Sequence, residues 1–358
     1  MRILFYFGHP SQYLFLRDTI YSLKKDGHFC DILIKSKDVL EDLLIANNEE
    51  YTNILPEGRK SGSFGILAGL IKRDLRLYKY TLRRRYDLFI GTDPSLAHIG
   101  FFKRIPVITV LEDDIEIIPR LARLTYPFTS LILTPEGCKT GKYEYKTVHY
   151  NGYMKLSYLH PSRFIKDQSR IDQPYFLIRT SGLDAHHDNG ISGLSETIIT
   201  EIINGSRVRG KVYISSEKRL PESLTPYLLK NKPAEMQQIL ANAGMLISDS
   251  QSMTMEAAML GVPSVRFSDF AGKISVLEEL EKSYGLTYGI SPDKPEKLFE
   301  KINEIQNLAD EGTVFQDRRQ KMLNDKIDVT AFMIWFITNY PESVKIMKEN
   351  PEYQNRFK

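Results

Sequence analysis

Between Ile247 and Val265 the chain reads ISDSQSMTMEAAMLGVPSV: a strand end, a short polar turn, an apolar helix and a second strand opened by Gly261-Val262-Pro263. The turn Asp249-Ser250-Gln251-Ser252 puts hydroxyls and backbone N–H groups where a helix begins. The first N–H groups of a helix have no internal partner and its dipole favours negative charge there, so the turn is an expected anion site. The helix, expected over 253–260, is apolar almost all round apart from Glu256. A carboxylate on a buried helix must find a partner. Helix capping does not supply one: with Ser252 as N-cap, a capping box needs Glu or Gln at 255, which is Met. Two readings stay open. Either Glu256 accepts from the vicinal hydroxyls of a ribose whose diphosphate sits on Ser250, Gln251 and Ser252, or it reaches solvent or a neighbouring cation.

Other chemistry-bearing residues also follow short apolar runs. His9, in Gly8-His9-Pro10, titrates near working pH and suits proton transfer; the alternative is a histidine capping its turn. Asp93, in Gly91-Thr92-Asp93-Pro94-Ser95, is a candidate catalytic acid or the cap of the next helix. In Glu112-Asp113-Asp114 adjacent carboxylates repel, so one pKa should rise, favouring an acid or base with Glu112 as candidate; Mg²⁺ binding ranks below that. Arg179-Thr180-Ser181-Gly182 joins a forked donor to a glycine turn, which suits a diphosphate. In Asp184-Ala185-His186-His187-Asp188 adjacent histidines point apart, which disfavours one metal using both. His186 toward a substrate phosphate is the expectation there. Ser216, in Ser215-Ser216-Glu217, borders a base or phosphate, or lies in a solvated loop.

These residues carry a resemblance. The polar loop, apolar helix with one Glu and Leu260-Gly261-Val262-Pro263 resemble the nucleotide-sugar loop of GT-B enzymes. Among these are the non-hydrolysing UDP-N-acetylglucosamine 2-epimerases and the N-acetylglucosaminyltransferase of peptidoglycan synthesis. The sequence is closer to an archaeal and bacterial family of predicted glycosyltransferases classed as a domain of unknown function. Gly8-His9-Pro10, Asn151-Gly152-Tyr153, Tyr158-Leu159-His160-Pro161, Ser181 to Asp188, Ile214 to Glu217 and the 247–265 run match it. The resemblance covers roughly residues 1–340. It implies two doubly wound, Rossmann-like domains facing a cleft, and a sugar moved from a nucleotide diphosphate, UDP among the candidates, to an acceptor. A lipid-linked sugar or cell-surface glycan precursor is the expected acceptor. GT-B enzymes generally bind the diphosphate without a metal, so no metal or cofactor is expected. Glu112 falls where the epimerases keep a catalytic carboxylate, but its surroundings depart from their motif. Nucleotide-sugar epimerisation therefore stands second, and a non-catalytic sugar-binding protein third.

In the scaffold around these residues, short apolar strands alternate with helices through both halves, which makes βαβ units and parallel sheets. The expected domains are 1–150 for the acceptor, 151–325 for the nucleotide sugar, and 326–358 as a helix returning to the first domain with a polar, frayed tail. The long helix near 64–85 bears Ile71, Leu75, Tyr78 and Leu82 on one face beside Lys72, Arg76, Lys79 and Arg83. That face either packs into the core with a solvated basic side, or meets an anionic membrane surface. No nucleic-acid module accompanies the basic stripe, so nucleic acid is not an expected partner.

A length of 358 residues exceeds one usual core, and 42% hydrophobic with 26% charged residues is a globular balance. Two cysteines make no disulfide framework, and no run reaches the ~20 apolar residues of a membrane span. The expected place is the cytoplasm, at the inner membrane face if the helix contact holds.

Overall fold

The apolar runs Ile3–Phe7, Leu88–Ile90, Val107–Val110 and Leu131–Leu133 show no alternation, the pattern of strands covered on both faces. The computed structural model describes residues 1–35, 39–57, 63–167, 175–180, 193–204, 210–216, 219–308 and 311–358. The chain divides into two units, Met1–Tyr158 with Lys326–Lys358, and Leu159–Asp325.

The first unit holds strands β1 (Arg2–Phe7), β2 (Phe29–Lys35), β3 (Thr52–Leu55), β4 (Leu88–Gly91), β5 (Val107–Val110), β6 (Leu131–Pro135) and β7 (Thr147–Tyr150). Its helices are α1 (Pro10–Lys25), α2 (Leu40–Ala46), α3 (Ser63–Thr81), α4 (Pro94–Lys103), α5 (Pro119–Thr125) and the single turn α6 (Leu156–Leu159). The sheet is parallel with order β3-β2-β1-β4-β5-β6-β7. The order reverses between β1 and β4, where Ile3 pairs with Leu88 and Tyr6 with Gly91. Gly91 has no side chain for a reason: a Cβ there would lie 2.6 Å from the Tyr6 carbonyl oxygen.

The second unit holds β8 (Tyr175–Thr180), β9 (Lys211–Ser216), β10 (Met245–Ser248), β11 (Ser264–Phe267) and β12 (Thr287–Ile290). Between them run α7 (Glu196–Asn204), α8 (Met236–Asn242), α9 (Gln251–Leu260), α10 (Ser275–Lys282), α11 (Pro295–Gln306) and α12 (Glu311–Asp325). This sheet is parallel with order β12-β11-β10-β8-β9, and reverses between β8 and β10.

Two edge strands were not legible in the sequence. β7 lies in the polar, aromatic stretch expected as a connection, and β12 (Thr-Tyr-Gly-Ile) is short and carries a glycine. The tail corrects an expectation. After α13 (Val329–Thr338) and α14 (Glu342–Glu349) the last residues form a 3₁₀ turn, Pro351–Phe357, in place of a frayed end. Tyr353 and Phe357 stack on Trp335 with ring centroids at 4.9 and 5.5 Å. Buried Gln354 accepts from the Asn151 N–H at 2.6 Å and donates to Glu136 at 3.1 Å, so aromatic packing and a satisfied amide hold the terminus. The 64–85 helix ends at Thr81. Its buried face is Leu70, Arg73, Leu77 and Thr81, leaving Ile71, Leu75 and Leu82 exposed, which corrects the core-facing reading of that stripe.

Candidate active site

In the second unit the sheet reverses at the ends of β8 and β10, the place where open parallel sheets bind ligands. Asp249, just past β10, is buried; its Oδ2 accepts from Thr180 Oγ1 at 3.3 Å, and its N–H donates to the Arg179 carbonyl at 3.2 Å. The helix cap falls on Ser250 and not on Ser252. Ser250 sits at φ −89°, ψ 122°, its Oγ accepts from Met253 N–H at 3.4 Å, and its carbonyl accepts from Thr254 Oγ1 at 2.7 Å. The Ser250 N–H in turn donates to Ser248 Oγ at 2.8 Å, which fixes the turn and starts the helix two residues before the expected 253.

The Gln251 and Ser252 N–H groups, first in the helix, have no partner among the described residues. Gln251 Nε2 donates to Ser268 Oγ at 3.4 Å, while its Oε1 is buried without a partner among the described residues. Residues 253–260 are all buried, and Glu256, in the second turn, is 6% exposed. The reading that sends Glu256 into solvent is thereby removed. Gly261, at φ 67°, ends the helix in the left-handed conformation.

Arg179 lies near the end of β8. Its Nη1 donates to buried Ser215 Oγ at 2.9 Å, across to the paired strand β9, which Ser216 ends. Ser181, Gly182 and His186, with His187 and both flanking aspartates, lie outside the described residues.

In the first unit the sheet reverses beside Gly8-His9 and Thr92-Asp93. His9 caps α1: its Nδ1 accepts from Ser11 N–H at 3.2 Å and lies 2.7 Å from Ser11 Oγ. An Nδ1 that accepts from a backbone N–H leaves the proton of the neutral ring on Nε2, so the outer nitrogen donates. Asp93 caps α4 through Ser95 N–H at 3.0 Å, and it also meets Lys35 Nζ at 3.1 Å and Arg73 Nε at 3.4 Å. Burial pushes its carboxyl pKa up, but Lys35, Arg73 and the Ser95 N–H more than offset that and hold it below the ordinary value. Lys35 crosses Gly8 to reach it, for a Cβ on Gly8 would lie 2.6 Å from Lys35 Cε.

After β5 the three carboxylates separate by role. Glu112 Oε1 pairs with the buried Lys155 ammonium, while Oε2 is buried without a partner among the described residues. Asp113 is the group whose pKa rises, to about 6, through burial first and the Glu112 charge second. Asp114 accepts from Lys139 N–H at 2.9 Å and holds the loop. Among the described residues no group of three or more His, Cys, Asp or Glu could hold a metal ion.

The cations Lys35, Arg73 and Lys155 escaped sequence reasoning, as did Arg266. That arginine is 1% exposed on β11, two residues before Ser268, with Nε and Nη1 unpartnered among the described residues; burial drops its pKa to about 10. The one available signal was Lys155, which follows closely on the matched Asn151-Gly152-Tyr153.

Two parallel, doubly wound sheets in this order define an α/β, two-domain fold of the GT-B type. Solved structures share it. A putative UDP-N-acetylglucosamine 2-epimerase from Listeria monocytogenes matches with a TM-score of 0.67 at 11% identity, over 97% of this chain and 96% of that one. S. aureus MnaA, in a co-structure with UDP, matches with a TM-score of 0.68 at 9% identity, over 96% and 98%. The Streptomyces sp. SF2575 glycosyltransferase SsfS6, complexed with thymidine diphosphate, matches with a TM-score of 0.59 at 13% identity, over 94% and 99%. At such identities the likeness establishes the fold. No family model matches the sequence, and no curated protein does.

Proposed function

We propose that this chain is a glycosyltransferase that takes a sugar from a nucleotide diphosphate. The observation that supports it is the α9 start: two N–H groups and an amide oxygen without a partner among the described residues, at the sheet reversal, with a buried carboxylate one turn on. The Gln251 and Ser252 N–H groups and the Ser250 and Ser252 hydroxyls receive the diphosphate, where the helix dipole favours negative charge. Glu256 accepts from the ribose hydroxyls; a carboxylate has about four lone-pair sites, so it can do so beside its own neighbours. The acceptor, a glycan precursor or lipid-linked sugar, goes to the first unit.

Of the three first-unit candidates, Glu112 suits the base best. Asp93 is spent on two cations and a cap, and His9 presents a donor nitrogen. In the transfer a base takes the acceptor hydroxyl proton as the hydroxyl oxygen bonds to the anomeric carbon and the bond to the diphosphate breaks; Glu112 Oε2 is the first-unit oxygen suited to be that base. The charge that develops on the leaving group falls on the α9 N–H groups.

A second reading, epimerisation of a nucleotide sugar, is favoured by two first-unit carboxylates locked to buried cations, Asp93 to Arg73 and Glu112 to Lys155, and by solved epimerases among the structures sharing the fold. Incubation with UDP-sugar in deuterated water without acceptor separates the two: deuterium in the recovered sugar sinks the transferase reading. Binding is tested by calorimetry with UDP, GDP, CDP and dTDP. At least one should bind, and Glu256→Ala should weaken it about 10–100-fold, the loss expected for hydrogen bonds to a charged group. Unchanged affinity in that variant defeats the site assignment.

A further inference from the structure

We propose that the α3–α4 surface of the first unit docks onto an anionic phospholipid bilayer. Ile71, Leu75 and Leu82 on α3 and its end, and Phe101 and Phe102 closing α4, are each more than half exposed. They form one surface: the Phe102 ring meets Tyr78 edge-on at 5.8 Å, and Phe101 meets Phe128 at 5.6 Å. A cluster of large exposed apolar side chains from two neighbouring helices differs from the scattered single residues of an ordinary surface.

The charge around it is mainly of one sign: Glu57 pairs with Lys72 and Arg76 of α3, and the other exposed cations keep their charge uncompensated among the described residues. α3 and α4 together hold a single carboxylate, Asp74, and His98 Nδ1 takes it at 3.0 Å. Lys79, Arg83, Arg85 and Arg104 make no ion pair among the described residues. The layer is rigid enough to present these groups together, since His98 Nε2 also meets the Leu124 carbonyl at 2.9 Å and so links α3 to α5 through α4. A second copy would set cations against cations. Nucleic acid has no use for bare aliphatic side chains. An anionic bilayer matches both features, headgroups to the cations and acyl boundary to the apolar side chains. No helix of the described residues is long and apolar enough to cross a membrane, so the contact is superficial.

The test is co-sedimentation of the full chain with vesicles of phosphatidylcholine alone, or with about a third phosphatidylglycerol, the fraction that gives a strongly anionic surface. The expected result is binding to the anionic vesicles only, weakened by high salt as screening demands. K79E/R83E should weaken it by roughly 20-fold or more, and Leu75→Glu or Phe102→Ser should weaken it as well. All four positions are exposed and outside the nucleotide site, so UDP affinity should stay unchanged in each variant. No binding to anionic vesicles, equal binding to neutral ones, or wild-type binding by K79E/R83E overturns the proposal. So does a dimer in solution that Leu75→Glu dissociates, because the surface then covers a second copy.

Discussion

Asp113 shows how one side chain reports on its neighbourhood. It lies between Glu112, already committed to Lys155, and Asp114, committed to the Lys139 N–H. Burial and the Glu112 charge raise its pKa from 3.8 to about 6. The sign of the linkage follows. A carboxyl that is harder to ionise when folded adds stability below its unfolded pKa, and that stability is lost as pH rises through the folded value. Asp113→Asn removes the loss. The variant should match the wild type near pH 4 and gain on the order of 2–3 kcal/mol above pH 6, since a tenfold change in an ionisation constant is worth about 1.4 kcal/mol. Urea denaturation at a series of pH values measures this; a difference that stays flat from pH 4 to 8 refutes it. The sequence made it plain that one of three adjacent carboxylates would be raised. Which one depended on Lys155 and Lys139, and such long-range pairings leave no mark on local spacing. The same holds for Asp93, whose partner Lys35 lies 58 residues away.

At the scale of elements, local chemistry was legible where an element carries its own instructions. The 247–265 run announced strand, turn, helix and strand, because Gly261 and Pro263 punctuate it and the apolar run leaves one solution. Only the cap moved, from Ser252 to Ser250, because Ser248 Oγ holds the Ser250 N–H, a contact outside the capping pattern. The tail was illegible for the opposite reason: its polar residues hide Tyr353 and Phe357, which gain a partner only when α13 presents Trp335. A chain cut after Asn350 loses both rings and the Gln354 amide that satisfies the Asn151 N–H. Removing buried aromatics costs about 3–5 kcal/mol each in a core, and less at this partly exposed end. The truncated chain should melt several degrees lower. Trp335 is the sole tryptophan, so its emission should shift red even in the folded truncated protein. Wild-type emission would mean that the terminal turn does not cover the indole.

For the whole molecule, the division into two units makes the nucleotide reading testable by where stability changes. A ligand that binds only the folded form stabilises by about 2.7 kcal/mol at a hundred times its Kd. The proposed nucleotide site lies entirely on residues of the Leu159–Asp325 unit, whereas Trp335 belongs to the other. A chain of two units need not unfold in one step. Calorimetry with saturating nucleotide diphosphate should therefore raise one transition by roughly 5–10 °C, the shift that this free energy gives for a unit of 150–250 residues. The tryptophan-monitored transition should move less. Glu256→Ala should abolish the calorimetric shift and leave the tryptophan transition in place. If the nucleotide instead moves the tryptophan transition alone, the phosphate-binding groups belong to the first unit, and the α9 start is not where the nucleotide binds.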